Sequence, residues 1–180
     1  MPDNKIEIRR EVYNMAILGG KPEEEPLHAG EVFNTWTYLY DTKGYLVTLQ
    51  VLINHTGDHD LKVFLEDLLE NSFTQEGQQV EVILKETGIR LPPAPPDRPN
   101  VEVQDIPAGA RFNDPEIAAL VQKELRTGKI TCSYIMGISI REDIATMFSE
   151  FHTQKEEYAQ KLLKLTKEKG WIVSPPINIK

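Results

Sequence analysis

Apolar residues recur at steps of three and four along four long stretches of the chain, and this is the period of an amphipathic helix. The period is interrupted near Thr56 and Gly57, and again near Gly137. The spacing predicts helices over residues 27–55, 58–87, 114–137 and 141–169. The chain is therefore predicted to be all-α.

Residues at the ends of these stretches are typical of helix caps. Asp58 is a favoured residue type for the N-cap of the second helix. Asp114, followed by Pro115, is predicted to cap the third helix, because proline is common at the first helical position. Gly88 and Gly170 are predicted to end the second and fourth helices in the left-handed conformation.

A proline-rich connection over residues 88–113 separates the two helical pairs. Six prolines lie between residues 92 and 107, which excludes a helix there. An extended chain of this length at about 3.1 Å per residue reaches from one end of a bundle to the other. We therefore predict a ferritin-like antiparallel four-helix bundle, in which two helical hairpins are joined by this crossover. An up-down-up-down bundle would leave the long connection without a role.

The predicted domain covers residues 27–176 and follows an N-terminal lead-in over residues 1–26. The lead-in alternates charged and apolar residues loosely, and residues 5–18 are predicted to form a short helix. Its beginning does not resemble a signal peptide, so we expect synthesis in the cytoplasm.

Composition excludes several classes of protein. The chain has 180 residues, a net charge of −8 and no block of basic residues, which argues against nucleic-acid binding. No apolar run approaches the ~20 residues that span a membrane. The single cysteine, Cys132, excludes a disulfide framework, and we expect it to be a buried, unreactive thiol on the third helix. We expect no cofactor.

Three stretches of sequence carry a resemblance to a known family: residues 27–36, 139–144 and 169–176. Together they resemble an uncharacterised ferritin-like family of spore-forming bacteria, whose members are often labelled "putative spore coat proteins". The resemblance covers roughly residues 27–176. It implies the ferritin-like fold and delivery to a spore surface, and it brings no established catalytic residues.

A ferritin-like fold raises the question of iron. The di-iron site of such bundles needs a Glu-x-x-His motif on each of two helices. The residues three positions before the four histidines are Glu25, Leu52, Thr56 and Ser149. Glu25 precedes the first predicted helix, so no helix carries the motif and a standard di-iron site is not expected.

A single-metal or small-molecule site is the alternative. The apolar stripe of the second helix is interrupted by polar residues between Asn71 and Gln79, and Glu76 lies in this interruption. Glu31 and His152 could face the same interior and complete a site. In the competing interpretation Glu31 interacts with the helix dipole, while Glu76 and His152 reach solvent.

Two groups of residues are candidates for an interaction surface. Trp36, Tyr38 and Tyr40 place aromatic rings around the first helix, which either form a partner surface or pack beneath the lead-in and the crossover. Arg141 and Asp143 either bind an anion or a partner, or belong to a helix start capped by Ser139. We favour the capping interpretation, because capping accounts for each of these residue types.

The sequence thus favours a structural or interaction protein rather than an enzyme. We expect self-association or binding to other coat-type proteins, without nucleic acid or membrane partners. The alternatives are the metal or small-molecule site and, more generally, a bundle that holds an apolar ligand in its interior.

Overall fold

The computed structural model describes residues 25–176 and 178. The lead-in helix predicted over residues 5–18 lies outside this part of the chain. Within it, every regular element is helical and no β-strand occurs, so the all-α prediction is confirmed. In the same part of the chain, no helix combines the length and the apolar character needed to cross a membrane.

Four long helices make up the fold. They comprise α1 (Ala29–His55), α2 (His59–Leu68) continued through a π-helical turn (Leu69–Phe73) into α3 (Thr74–Glu86), α4 (Asp114–Ile138) and α5 (Glu142–Glu168). The helix limits lie within two residues of the predicted ones. Between α3 and α4 the chain has only two short 3-10 turns, Val103–Asp105 and Ala108–Ala110.

The π-helical turn keeps one face of the second long helix inside the bundle. The inward positions are Leu61, Leu65, Leu68, Ser72, Glu76, Val80 and Leu84. Most of these steps are four residues, which is slower than the 3.6 residues of an α-helical turn. One wider turn takes up the extra residue. The Thr74 hydroxyl donates to the Leu69 carbonyl at 2.7 Å within this turn.

Three of the predicted caps are confirmed. The Asp58 side chain accepts a hydrogen bond from the Leu61 backbone N–H at 3.0 Å at the start of α2. Gly88 and Gly170 follow α3 and α5 with φ of 73° and 70°. This is the left-handed conformation, which a Cβ would strain.

The predicted cap of the third helix is wrong by one residue. Asn113 is the N-cap of α4, and it exchanges hydrogen bonds with Glu116 in a capping box. Asp114 instead accepts a hydrogen bond from the Gly57 N–H at 2.9 Å. It therefore joins the start of α4 to the turn between α1 and α2.

The Ser139 cap is also wrong. Ser139 follows α4, and its hydroxyl donates to the Ile135 carbonyl at 2.7 Å. Arg141 stands at the N-cap of α5 without a side-chain capping bond. The turn between the helices is so short that Ser139 is used to end the first of them.

The proline-rich segment lies along α1. The Trp36 indole N–H donates to the Arg90 carbonyl at 2.8 Å, and Asn54 Nδ2 donates to the Pro99 carbonyl at 2.9 Å. Lys43 also donates to the Pro92 carbonyl, at 3.1 Å between these two positions. The segment therefore runs in the same direction as α1.

The core has two apolar clusters. Each long helix contributes to both clusters, for example α4 through Leu125 and Cys132 and α5 through Tyr158 and Phe151. Between these positions along the helices lies a layer of buried polar side chains, and this layer is the candidate functional site.

Candidate functional site

A buried ion pair occupies the centre of the polar layer. Glu76 on α3 and Lys155 on α5 are almost completely buried, with 0% and 1% of their surface exposed. The Lys155 Nζ lies 2.7 Å from Glu76 Oε1 and 2.5 Å from Oε2. The ammonium thus contacts both carboxylate oxygens.

Two hydroxyl groups complete the environment of the Glu76 carboxylate. The Tyr38 hydroxyl donates to Oε2 at 2.5 Å, and the Ser72 hydroxyl donates to Oε1 at 3.0 Å. Burial, together with the neighbouring Glu76 charge, raises the pKa of Tyr38 well above its ordinary value. Tyr38 therefore stays a hydrogen-bond donor at any physiological pH.

The surroundings of Lys155 suit a buried cation. Its Nζ lies 4.1 Å from the centroid of the Phe73 ring, a distance typical of a cation–π contact. Gly128 on α4 faces its aliphatic stem. A Cβ at position 128 would lie 2.8 Å from both Lys155 Cδ and Cε, so the stem fits because this residue is glycine.

The cluster is chemically closed. The carboxylate oxygens accept from the ammonium and both hydroxyl groups, so the charged atoms have partners. Removing either charge would leave the other buried and unpaired, which is strongly unfavourable. The arrangement is suited to fixing the positions of α1, α3 and α5 relative to one another.

The candidate metal ligands are not brought together. The Lys155 ammonium takes up the space beside the Glu76 carboxylate in which a coordinated ion would lie. Glu31 is buried at the end of the bundle, and His152 is half-buried on α5. Across the described part of the chain, no group of three or more His, Cys, Asp or Glu side chains has a metal-binding arrangement. The interpretation in which Glu76 reaches solvent is wrong, because the helix places it inward.

Glu31 instead connects the start of α1 to the turn before α5. One carboxylate oxygen accepts from the His28 backbone N–H at 3.0 Å. The other accepts from the backbone N–H groups of Ile140 and Arg141 at 2.7 and 3.0 Å. Glu31 does lie in the first turn of α1, where the helix dipole favours a carboxylate.

His28 caps one helix and contacts the end of another. Its ring Nδ1 accepts from the Gly30 N–H at 2.9 Å, and its Nε2 lies 3.1 Å from the Ile138 carbonyl oxygen. With Nδ1 as the acceptor, the ring proton lies on Nε2 and is donated to Ile138. The residue therefore satisfies a donor at the start of α1 and an acceptor at the end of α4.

Arg141 and Asp143 pair with each other. The Arg141 Nε lies 3.0 Å from Asp143 Oδ1 and its NH2 lies 2.5 Å from Oδ2, while its NH1 donates to the Glu25 carbonyl at 3.0 Å. The hydrogen bond with Asp143 raises the pKa of Arg141. Arg141 is only 5% exposed, so its guanidinium already has partners within this chain.

The three aromatic residues of α1 lie in different environments. Tyr38 belongs to the core, so its placement on an interaction surface is wrong. Trp36 is half-buried against the proline-rich segment, as the packing interpretation expects. Tyr40 is 51% exposed and stacks on Trp36, with ring centroids 5.8 Å apart.

Cys132 is buried, as predicted, in the same cluster as Tyr38. Burial is the largest of the effects that raise the pKa of its thiol, to about 11. Its sulfur lies 3.9 Å from the Tyr38 hydroxyl.

Lys155 is the central residue that sequence reasoning missed. Its spacing carried the signal, because it lies four residues after Phe151 and three before Tyr158 in the apolar stripe of α5. A lysine at an inward position requires a buried partner. Glu76 on the interrupted stripe of the second helix is the matching carboxylate.

Comparisons with known proteins agree on one family. The model of a family described as "Protein of unknown function (DUF3231)" matches residues 15–180. The chain is 47% identical over 165 residues to the uncharacterized protein YvdQ of Bacillus subtilis (strain 168), and the match covers 92% of this chain and 96% of YvdQ. It is also similar to the crystal structure of a "putative spore coat protein" from Bacillus halodurans C-125. The two are 50% identical with a TM-score of 0.86, covering 88% of this chain and 99% of that one.

Proposed function

The chain belongs to the DUF3231 family of proteins of unknown function, and from this premise we propose that it is a non-enzymatic structural component of the spore coat. The Bacillus halodurans protein that is 50% identical to it is described as a "putative spore coat protein". The proposed place of action is the spore surface, which the protein reaches after synthesis in the cytoplasm.

The closed polar cluster is the observation that carries this proposal. An active site needs polar groups that are free to bind a substrate or to exchange a proton with it. The Glu76 carboxylate and the Lys155 ammonium bind each other, and the hydroxyl groups of Tyr38 and Ser72 are directed at the same carboxylate. The interior chemistry is thus used for holding helices together.

The proposal includes a ferritin-like bundle in which residues 88–113 form the crossover. The hydrogen bonds from Trp36 to Arg90 and from Asn54 to Pro99 support this topology, because they lead the segment along α1. The partners we propose are other copies of this chain or other coat-type proteins. The net charge of −8 argues against nucleic acid as a partner.

Fractionation of spores tests the proposal. The tagged chain would be produced during sporulation in a Bacillus subtilis strain that lacks YvdQ, and spores would be separated into coat extract and decoated core. We expect the chain in the coat extract, and the tag alone, as the control, outside it. Recovery of the chain only from the core or the mother-cell lysate would contradict the proposal.

Elemental analysis of the purified protein tests the non-enzymatic part. The protein would be purified without tag or chelator, and its metals would be measured by plasma mass spectrometry. We expect no metal in stoichiometric amount. Stoichiometric iron, manganese or zinc would contradict the closed cluster and reopen the interior as a binding site.

A further inference from the structure

The outward sides of α1 and α4 form one exposed face that is rich in apolar and hydroxyl side chains. We call it the α1/α4 face. On α1 it consists of Phe33, Thr37, Tyr40, Gly44 and Thr48, and on α4 it consists of Leu120, Lys123, Thr127, Ile130 and Tyr134. These residues recur at steps of three and four, so each set shares one side of its helix. Phe33 and Ile130 expose 69% and 66% of their surface.

Contacts between the two helices fix their antiparallel register. Gly57 binds Asp114 at one end, Tyr38 lies against Cys132 in the middle, and Glu31 binds Ile140 at the other end. Counting from these contacts, Tyr40 is level with Ile130 and Gly44 is level with Thr127. The exposed side chains therefore form matched rows across the face.

Gly44 lies in the middle of this face. A glycine inside a helix weakens it relative to alanine, so such a residue usually has a packing reason. No atom of the described chain lies within 4 Å of the position that a Cβ at Gly44 would take. The packing within the chain thus gives no reason for a glycine here, whereas the close approach of another helix would give one.

The two charges on the face are placed symmetrically about Gly44. Asp41 lies about one turn before it on α1, and Lys123 lies about one turn beyond the same level on α4. Burial raises the pKa of Asp41, and no cation of the described chain is set against it. A two-fold axis that lies in the face at the level of Gly44 would bring Asp41 of each copy to the level of Lys123 of the other copy.

We propose that the α1/α4 face binds the same face of a second copy of this chain, related by a two-fold axis at Gly44. This inference rests on the proposed function and names the partner of the self-association. In such an isologous dimer, α1 crosses its own copy at Gly44, and Tyr40 and Ile130 leave solvent on both sides of the crossing. Asp41 and Lys123 of the two copies form two ion pairs.

Molar mass of the full-length protein, measured by sedimentation equilibrium, tests the proposal. We expect twice the chain mass of 20.5 kDa for the unchanged protein. Ile130→Asp is expected to weaken association by about tenfold or more, because it places a charge in the apolar part of the interface. The matched control is Val82→Asp on α3, since Val82 is 51% exposed and lies outside the face.

Exchange of the two charges gives the sharper arm. Asp41→Lys and Lys123→Asp should each weaken association, since like charges would then meet across the interface. The double variant Asp41→Lys with Lys123→Asp should restore it, and both single variants should keep the helical circular dichroism of the unchanged protein. Gly44→Leu should also weaken association while the helices remain folded.

Three results would overturn the proposal. They are a monomeric unchanged protein, a dimer that Val82→Asp disrupts and the face variants do not, and charge variants without mutual rescue. Monomers in which the face variants speed tryptic cleavage after Arg9 or Arg10 would identify the chain's own N-terminal segment as the occupant. A monomer recovered in the coat extract overturns the dimer alone, whereas a dimer absent from the coat overturns the proposed function alone.

Discussion

The Lys155 ammonium contacts both oxygens of the Glu76 carboxylate in a layer between two apolar clusters. The pair joins α5 to α3, and the Tyr38 hydroxyl adds α1 to the same cluster. A buried ion pair is poor evidence of net stability, because desolvation opposes the attraction of the charges. It does specify which helices meet and at what height, since any slip leaves a charge without a partner.

Removing one member of this pair should destabilise the protein, and removing both should not. We expect Glu76→Leu to lower the free energy of unfolding by about 3–5 kcal/mol, because Lys155 is left buried without a counter-charge. The double variant Glu76→Leu with Lys155→Met should recover most of this loss or exceed the stability of the unchanged protein. Urea unfolding at pH 7 measures all three proteins.

Glu156→Gln is the control for this comparison. Glu156 binds Lys129 at the surface, where ion pairs contribute little, so its replacement should change unfolding only slightly. Equal losses for Glu76→Leu and for the double variant would contradict the account. In that case the cost would come from altered packing rather than from an unpaired charge.

Gly128 should be required for the position of Lys155. Gly128→Ala adds a Cβ at 2.8 Å from the lysine stem, so we expect a loss of about 1–3 kcal/mol although alanine favours helices. Gly137→Ala, also on α4, has open space around the added methyl group and should keep or slightly raise stability. Thermal unfolding of both variants decides, and a stabilised Gly128→Ala would show that the stem can move aside.

Helix number and helix limits could be predicted from sequence, because they depend on apolar spacing and on residues such as Asp58 and Gly88 that act locally. The Asp114 and Ser139 caps could not, because each side chain has a second possible partner that only the folded chain supplies. Asp114 binds Gly57, and Ser139 binds Ile135.

The polar cluster was predictable only in part. The interrupted stripe drew attention to Glu76, but the charge that meets it lies 79 residues away on α5. No local pattern pairs the two residues. The same holds for the assignment of Tyr38 to a surface, since a helix with aromatic rings on several sides does not show which of them faces the core.

The cap formed by His28 has two separable parts. His28→Asn keeps an acceptor for the N–H groups at the start of α1 but loses the reach to the Ile138 carbonyl, whereas His28→Ala loses both. We expect alanine to lower the free energy of unfolding by about 1–2 kcal/mol and asparagine by roughly half as much. Chemical unfolding of the two variants at neutral pH tests this. Equal losses would assign the whole effect to the contact with α4.

The thiol of Cys132 should be protected in the folded protein. Burial raises its pKa to about 11, so little thiolate is present at pH 8, and the surrounding side chains block access. We expect slow reaction with a water-soluble disulfide reagent in buffer and fast, complete reaction in urea. Rapid labelling in buffer would mean that the region around Tyr38 opens far more often than its packing indicates.

Glu124 should make the protein less stable at neutral pH than at mildly acidic pH. Burial is the largest effect on its carboxyl group and raises its pKa above the ordinary value, despite the nearby positive charge of Lys155. When the folded pKa is the higher one, ionisation opposes folding. This stabilising contribution is therefore present below the unfolded pKa, near ~4.3, and is lost as the pH rises through the folded pKa. Glu124→Gln should thus raise the free energy of unfolding at pH 7 and have less effect at pH 4.

Urea unfolding at both pH values measures this difference, and Glu150→Gln on the exposed side of α5 is the control, since it should show no comparable gain at pH 7. A variant that is destabilised at pH 7 would mean that the attraction to Lys155 outweighs burial. The sign of the change at pH 7 thus determines whether Lys155 is neutralised by Glu76 alone or shared between Glu76 and Glu124.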